Sequence, residues 1–143
     1  NRLDEEISCW AGEMTVGDLS SINYEDNFFD AIIDNECLSC VAYNQSKIVL
    51  SEAKRVLKSD GKLISVAFAT SSKIHVSKTE LSNKKVSPLI GPLSNNGTVR
   101  LIDELDINNL YGAFFKIDNY EIVQRTTNDR EYNVVEYVIQ CSK

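Results

Sequence analysis

The stretch LSEAKRVLKSDGKLISVAF, residues 50–68, decides the fold. Its first part continues a pattern over residues 45–58, in which apolar side chains recur at helical spacing and Lys and Glu occupy the other face. The letters KSDG end that pattern, and residues 62–68 then run apolar on both faces, as in a strand that is covered on both sides. Helix, tight turn and buried strand together predict a crossover unit of an α/β fold.

Upstream of this unit the sequence predicts two further strands. Residues 14–16 form a weak strand pattern that closes with a glycine and an aspartate. Residues 29–33 are apolar on both faces, which favours a strand covered on both sides.

Downstream, residues 69–101 show no clear period and contain both prolines, so we expect a long loop. Residues 103–115 predict a helix. Residues 120–125 and 133–141 alternate like an antiparallel pair, with the letters NDRE at the turn.

Composition excludes several classes of protein. The 143 residues fit one globular domain, with 43% apolar and 25% charged side chains. A formal charge of −6 disfavours nucleic acids and acidic membranes as partners, and no apolar run is long enough to span a bilayer. The amino-terminal residues do not read as a signal peptide, and we expect a cytoplasmic protein.

Four cysteines are too few for a disulfide scaffold in a chain of this length. Cys37 and Cys40 form a C-x-x-C pair, but a structural zinc site would need a second pair or nearby histidines. We therefore expect free thiols and no metal.

Polar side chains follow two of the predicted strands. Asp18 follows the first, and Asp34, Asn35 and Glu36 follow the second. Because ligands of open α/β sheets bind beyond the carboxyl ends of the strands, both groups would face one crevice. The alternative is a solvated loop, or a cap by Asp34 or Asn35 on a short helix that ends near residue 41.

Three segments occur in an order and spacing that resemble class I S-adenosylmethionine-dependent methyltransferases. They are VGDLSSINYEDNFFDAIIDNE, the LSEAKRVLKSDGKLISVAF stretch and the closing strand pair, and RVLKSDGKLI is the most specific part. The family usually has Pro-Gly-Gly where this chain has Ser-Asp-Gly, and Asp tolerates a left-handed backbone. The resemblance covers residues 14–142 and the carboxy-terminal two thirds of the family domain.

This resemblance implies a Rossmann-like methyltransferase sheet over residues 1–143, a single partial domain that is incomplete at its amino-terminal side. It implies S-adenosylmethionine as cofactor and a small-molecule methyl acceptor. The residue matching Asp18 accepts a hydrogen bond from the adenine amino group, and the amide matching Leu19 meets an adenine ring nitrogen. Residues matching Asp34, Asn35 and Glu36 line the methionine end and the path to the acceptor.

The glycine-rich turn that holds the ribose and carboxypropyl end in this family has no counterpart in the sequence. We therefore expect the chain to be a fragment of a longer methyltransferase, with one edge of the strand at residues 29–33 bare and apolar. The alternative is a non-catalytic half-domain that assembles with itself or with a partner through that edge. A dehydrogenase is a weaker alternative, because no dinucleotide fingerprint is present.

No residue is singled out as a catalytic base. His75, in the long loop, is the one histidine and the weak candidate. Tyr43 lies near the predicted crevice and equally suits packing. Lysines in the loop, among them Lys84 and Lys85, could attract an anionic substrate or simply be solvated. We expect Trp10 and the pair at residues 114–115 to pack in the core or against a partner.

Overall fold

The computed structural model describes residues 12–73, 84–87, 94, 97–126 and 132–143. In chain order its elements are β1 (Phe29–Asn35), a 3-10 turn (Cys37–Ser39), α1 (Tyr43–Val56), β2 (Leu57–Phe68), β3 (Lys85–Val86), β4 (Val99–Arg100), α2 (Glu104–Asp106) with a π-helical extension (Ile107–Tyr111), β5 (Lys116–Thr126) and β6 (Asn133–Ser142).

The main sheet has four strands in the order β1-β2-β6-β5. β1 and β2 are parallel, and β6 runs antiparallel to both of its neighbours. The predicted α/β architecture and its closing antiparallel pair are confirmed. The predicted turn at residues 128–131 lies outside the described residues.

The junction of α1 and β2 is tighter than the sequence predicts. The helix ends at Val56, and the strand begins at the next residue instead of after the glycine. Phe29 pairs with Leu57 and Ala31 pairs with Lys62, so four residues of β2 bulge opposite one residue of β1. Asp60 in this bulge has a φ of 63°, the left-handed backbone that we expected Asp to tolerate.

Gly61 is required here by space. A Cβ atom on this residue would lie 2.7 Å from the Leu57 Cγ and 2.8 Å from the Lys58 carbonyl oxygen. The glycine of the KSDG sequence therefore allows the bulge to close tightly on the start of β2.

The amino-terminal side of the sheet is open. Within the described residues β1 pairs with β2 alone, and the side chain of Ile33 is 74% exposed. Among the described residues this edge is unpaired, and the prediction that the strand is covered on both sides was wrong. Residues 14–16 form no strand, because no neighbouring strand is present among the described residues to pair with them.

The core lies between the sheet and the two helical segments. It includes Leu50 of α1, Leu63 of β2, Ile107 and Ile139, all at most 1% exposed. The predicted helix at residues 103–115 is present but irregular. A capping box formed by Asp103 and Asp106 starts it, and a π-helical turn follows.

Part of the predicted loop at residues 69–101 is ordered as a short antiparallel pair, β3 and β4. Phe115 is buried and Phe114 packs against the core, as predicted, whereas Trp10 lies outside the described residues. In the part of the chain that is described, no helix is long and apolar enough to cross a membrane.

Candidate functional site

An apolar cavity of about 90 Å³ lies between β1, α1 and the segment after residue 18. Leu19 and Asp34, which are fifteen positions apart in the sequence, both line it. Its remaining walls include Ile33 and Leu38. The carboxyl end of β1 thus meets the upstream segment, as the sequence predicts for a ligand site.

The segment before β1 is fastened to α1 by two charged side chains. Arg55 donates hydrogen bonds from Nη2 to the Ile22 carbonyl at 2.8 Å and from Nη1 to the Tyr24 carbonyl at 2.9 Å. Glu52 accepts a hydrogen bond from the Ile22 amide at 3.0 Å. These contacts hold Leu19 and Ile22 against the cavity although residues 14–16 are not in a strand.

Asp18 is exposed and lines a second, more polar cavity of about 440 Å³, which Leu19 also lines. Its Oδ1 accepts hydrogen bonds from the Ser20 amide at 2.8 Å and the Ser20 hydroxyl at 2.7 Å. The hydroxyl bond lowers the pKa of Asp18, and the amide bond acts in the same direction. The carboxylate is therefore an ionised acceptor beside the apolar cavity.

Asp34 belongs to a largely buried polar chain. Its Oδ2 accepts a hydrogen bond from the Ser65 hydroxyl at 2.6 Å, and Ser65 contacts the Tyr111 hydroxyl at 2.9 Å. Burial raises the pKa of Asp34, and the Ser65 bond opposes that rise. Its Oδ1 also accepts a long hydrogen bond from the Leu38 amide at 3.4 Å. The predicted cap by Asp34 or Asn35 is not formed, because the N-cap residue of the 3-10 turn is Glu36, which makes no side-chain cap.

Asn35 and Glu36 line neither cavity. Asn35 is exposed, and Glu36 takes a left-handed backbone with φ 66° before the 3-10 turn. Burial raises the pKa of Glu36 to about 7, and a hydrogen bond to the carboxyl of Glu136 adds to the rise. Glu136 is 1% exposed, and its Oε2 lies 2.7 Å from Nη2 of Arg125. A carboxyl pair thus joins the end of β1 to β6.

The remaining described residues that the sequence suggested for a site do not line either of these two cavities, apart from Cys37, which lines the apolar one. His75 lies outside the described residues. Cys37 and Cys40 are exposed free thiols, and the described residues contain no cluster suited to a metal ion. Tyr43 is the first residue of α1 and lines a third cavity, described below.

Four site residues were missed by the sequence analysis: Ser65, Arg100, Tyr111 and Glu136. Ser65 and Glu136 interrupt otherwise apolar strands, in LISVAF and VVEYVI, and that isolation is the signal that could have found them. Arg100 and Tyr111 carry no such signal, because their burial depends on contacts over long sequence separations.

Comparison with known proteins supports the resemblance. A family model described as a methyltransferase domain matches residues 3–65. A search of curated proteins finds no match.

Solved structures share the fold at low sequence identity. An S-adenosylmethionine-dependent methyltransferase from Methanosarcina mazei is 19% identical with a TM-score of 0.74, over 90% of this chain and 66% of that one. A protein from Pyrococcus horikoshii is 18% identical with a TM-score of 0.70, over 99% and 63%.

A third structure was solved with ligands. The 1,6-didemethyltoxoflavin-N1-methyltransferase of Burkholderia thailandensis, with 1,6-didemethyltoxoflavin and S-adenosylhomocysteine bound, is 17% identical with a TM-score of 0.63, over 87% of this chain and 48% of that one. The chain thus spans 48% to 66% of the length of these three structures. The family model and the shared fold confirm the resemblance to class I S-adenosylmethionine-dependent methyltransferases.

Proposed function

We propose that this chain is the carboxy-terminal part of an S-adenosylmethionine-dependent methyltransferase that acts on a small molecule. The observation that carries the proposal is the shared cavity of Leu19 and Asp34 at the carboxyl end of β1. The adjoining cavity of about 440 Å³, lined by Leu19 and the ionised Asp18 carboxylate, has room for an adenine ring with its amino group.

The residues present fit the cofactor in part. Asp18 and Leu19 would hold adenine, and Asp34 would face the methionine end. Asn35 and Glu36, which line neither cavity, would lie on the path to the acceptor. When bound, the cofactor supplies an electrophilic methyl group on a cationic sulfonium, which nearby carboxylates stabilise. No residue in the sequence matches the glycine-rich turn, so full affinity requires those contacts from a further segment.

The methyl-transfer reaction requires mainly that the protein position the two reactants. Methyl transfer needs the acceptor held in line and shielded from water. The buried Asp34–Ser65–Tyr111 chain fixes the Asp34 carboxylate through hydrogen bonds of 2.6 and 2.9 Å, so this group would keep its orientation during binding.

Free thiols at Cys37, Cys40 and Cys141 fit the cytoplasmic location expected from the sequence.

A second candidate function is assembly through the edge of β1. Ile33 is 74% exposed and Phe28 is 51% exposed, and β1 has one partner strand among the described residues. Such an edge can pair with a second copy of the chain or with another protein. In this case the chain would be a non-catalytic half-domain.

Titration of the ¹⁵N-labelled chain with S-adenosylhomocysteine, with its mass in solution recorded by light scattering, tests both candidates. We expect weak, saturable binding that shifts the amide signals of Leu19 and Leu38. Asp18→Asn should weaken it about tenfold, because a charge-assisted hydrogen bond becomes a neutral one. The matched control Asp30→Asn changes an exposed carboxylate that lines neither cavity.

A folded monomer that shows no shifts up to millimolar ligand would contradict the cofactor assignment. A stable dimer without such shifts would instead favour the assembly function.

A further inference from the structure

A third cavity, of about 480 Å³, lies at the amino-terminal end of α1 and is not part of the proposed cofactor site. Tyr43 and Asn44 of the helix line one side, and Lys84, Lys85 and Arg100 line the other. Three cations on one wall are unusual in a chain whose formal charge is −6.

Arg100 is the central residue of this cavity. The residue is 3% exposed, and its Nη2 donates to the Leu38 carbonyl and to the Ser46 hydroxyl, both at 2.7 Å. Its Nε and Nη1 atoms are buried and have no hydrogen-bond partner among the described residues. Burial lowers the pKa of this guanidinium. A buried cation with unpaired donors is costly unless an acceptor completes its set.

The helix adds positive potential at the same place. α1 has fourteen residues, and Ala42 before it provides no side-chain cap for the first amide groups. The first turn contains no acidic residue. Unpaired amides and the helix dipole therefore favour an anion where Ala42, Tyr43 and Asn44 line the cavity.

The carboxylate in the cavity is paired with a lysine that it shares with a second carboxylate. Asp106 lies 2.6 Å from the Lys84 ammonium, which also pairs with Asp103 at 2.6 Å. Lys85 makes no side-chain hydrogen bond or ion pair within the described residues. Arg100 and Lys85 are thus the two cations left to meet a ligand.

The cationic cavity adjoins the proposed cofactor site through one residue. The side chain of Leu38 lines the apolar cavity, while its carbonyl accepts the Arg100 hydrogen bond. The Leu38 amide in turn donates to Asp34. A ligand anchored at Arg100 would therefore lie beside the methionine end of the cofactor.

We propose that the methyl acceptor is an anionic small molecule, whose carboxylate or phosphate is bound by Arg100, Lys85 and the amino terminus of α1. The identification of the ligand as the methyl acceptor rests on the proposed methyltransferase function. The anion site itself does not depend on that function. Guanidinium groups match the geometry of both anions, and the Tyr43 ring, 5.6 Å from the Arg100 guanidinium carbon, offers an aromatic wall to the rest of the molecule.

Titration of the ¹⁵N-labelled chain with inorganic phosphate and, separately, with benzoate tests the site at constant ionic strength. The Nε–H signal of Arg100 should shift and saturate. Arg55 is the internal control, because its guanidinium is already bonded to Glu52, Asp26 and two backbone carbonyls. Saturation by phosphate alone indicates a phosphate-bearing acceptor, and saturation by benzoate alone indicates a carboxylate.

Two lysine variants avoid disturbing the buried arginine. Lys85→Met should weaken anion binding about tenfold. Lys47→Met removes a lysine that lies over the Tyr43 ring at 5.2 Å but does not line the cavity, and it should leave binding unchanged.

Equal, non-saturating shifts at Arg100 and Arg55, or no loss of binding in Lys85→Met, would overturn the proposal. S-adenosylhomocysteine is absent from this titration, so a failure of the cofactor site would be seen separately, at Leu19 and Leu38.

Discussion

β1 and β6 belong to the same sheet but differ sharply in burial. β6 is hydrogen-bonded on both sides, and even its glutamate, Glu136, is 1% exposed. β1 contains an apolar run of the same length, residues 31–33 against 137–139 in β6. It nevertheless has one partner strand among the described residues, and Ile33 is 74% exposed. The difference teaches that an apolar pattern predicts a strand, whereas neighbouring strands and helices decide how deeply it is buried.

The same isoleucine truncation in both strands tests this contrast most strongly. Ile139→Ala in β6, at a position that is 0% exposed, should lower the free energy of unfolding by about 2 to 5 kcal/mol. Ile33→Ala in β1 should lower it by less than about 0.5 kcal/mol, because the side chain is already in water. Urea unfolding followed by circular dichroism measures both values. Equal losses would mean that the edge of β1 is covered in solution.

A second test concerns the bulge in β2 opposite β1. β2 lies between β1 and β6 in the sheet. Gly61→Ala would place a methyl group 2.7 Å from the Leu57 Cγ, and we expect a loss of about 1 to 3 kcal/mol from overpacking. Asp60→Gly, at the left-handed position next to it, is the control and should change stability by less than about 1 kcal/mol. Urea unfolding again gives both values. If Gly61→Ala proved as mild as the control, the bulge would be wider in solution.

The regular parts of the fold could be predicted because their signals are local. The α1–β2 unit follows from helical spacing and a glycine, and the β5–β6 pair follows from alternation. The exposure of β1 and the absence of a strand at residues 14–16 could not be predicted from the residues of these two segments alone. Both depend on strands that the described residues do not contain.

The candidate site divides in the same way. The sequence indicates that Leu19 and Asp34 meet, since both follow predicted strands. It does not indicate Arg100, because the guanidinium reaches Leu38 and Ser46 from a strand more than fifty positions away. Nor does it indicate that Glu36 leaves the cavity to pair with Glu136, which follows from the left-handed turn at Glu36 and from the register of β6.

The third test concerns that carboxyl pair, where the end of β1 meets β6. Burial, together with Glu136, raises the pKa of Glu36 from 4.5 to about 7. Between these values the folded chain binds more protons than the unfolded chain, so this group's contribution to stability falls as pH rises from about 4.5 to about 7.

Glu36→Gln removes the titration, and its unfolding free energy should vary less with pH across this window than that of the unchanged chain. Thermal or urea unfolding at several pH values measures the slope, with the exposed Glu121→Gln as a charge-matched control. Identical slopes for Glu36→Gln and the unchanged chain would mean that neither burial nor Glu136 raises the pKa of Glu36 in solution. In that case the end of β1 would be linked to its neighbours by the Asp34–Ser65 hydrogen bond and not by the carboxyl pair.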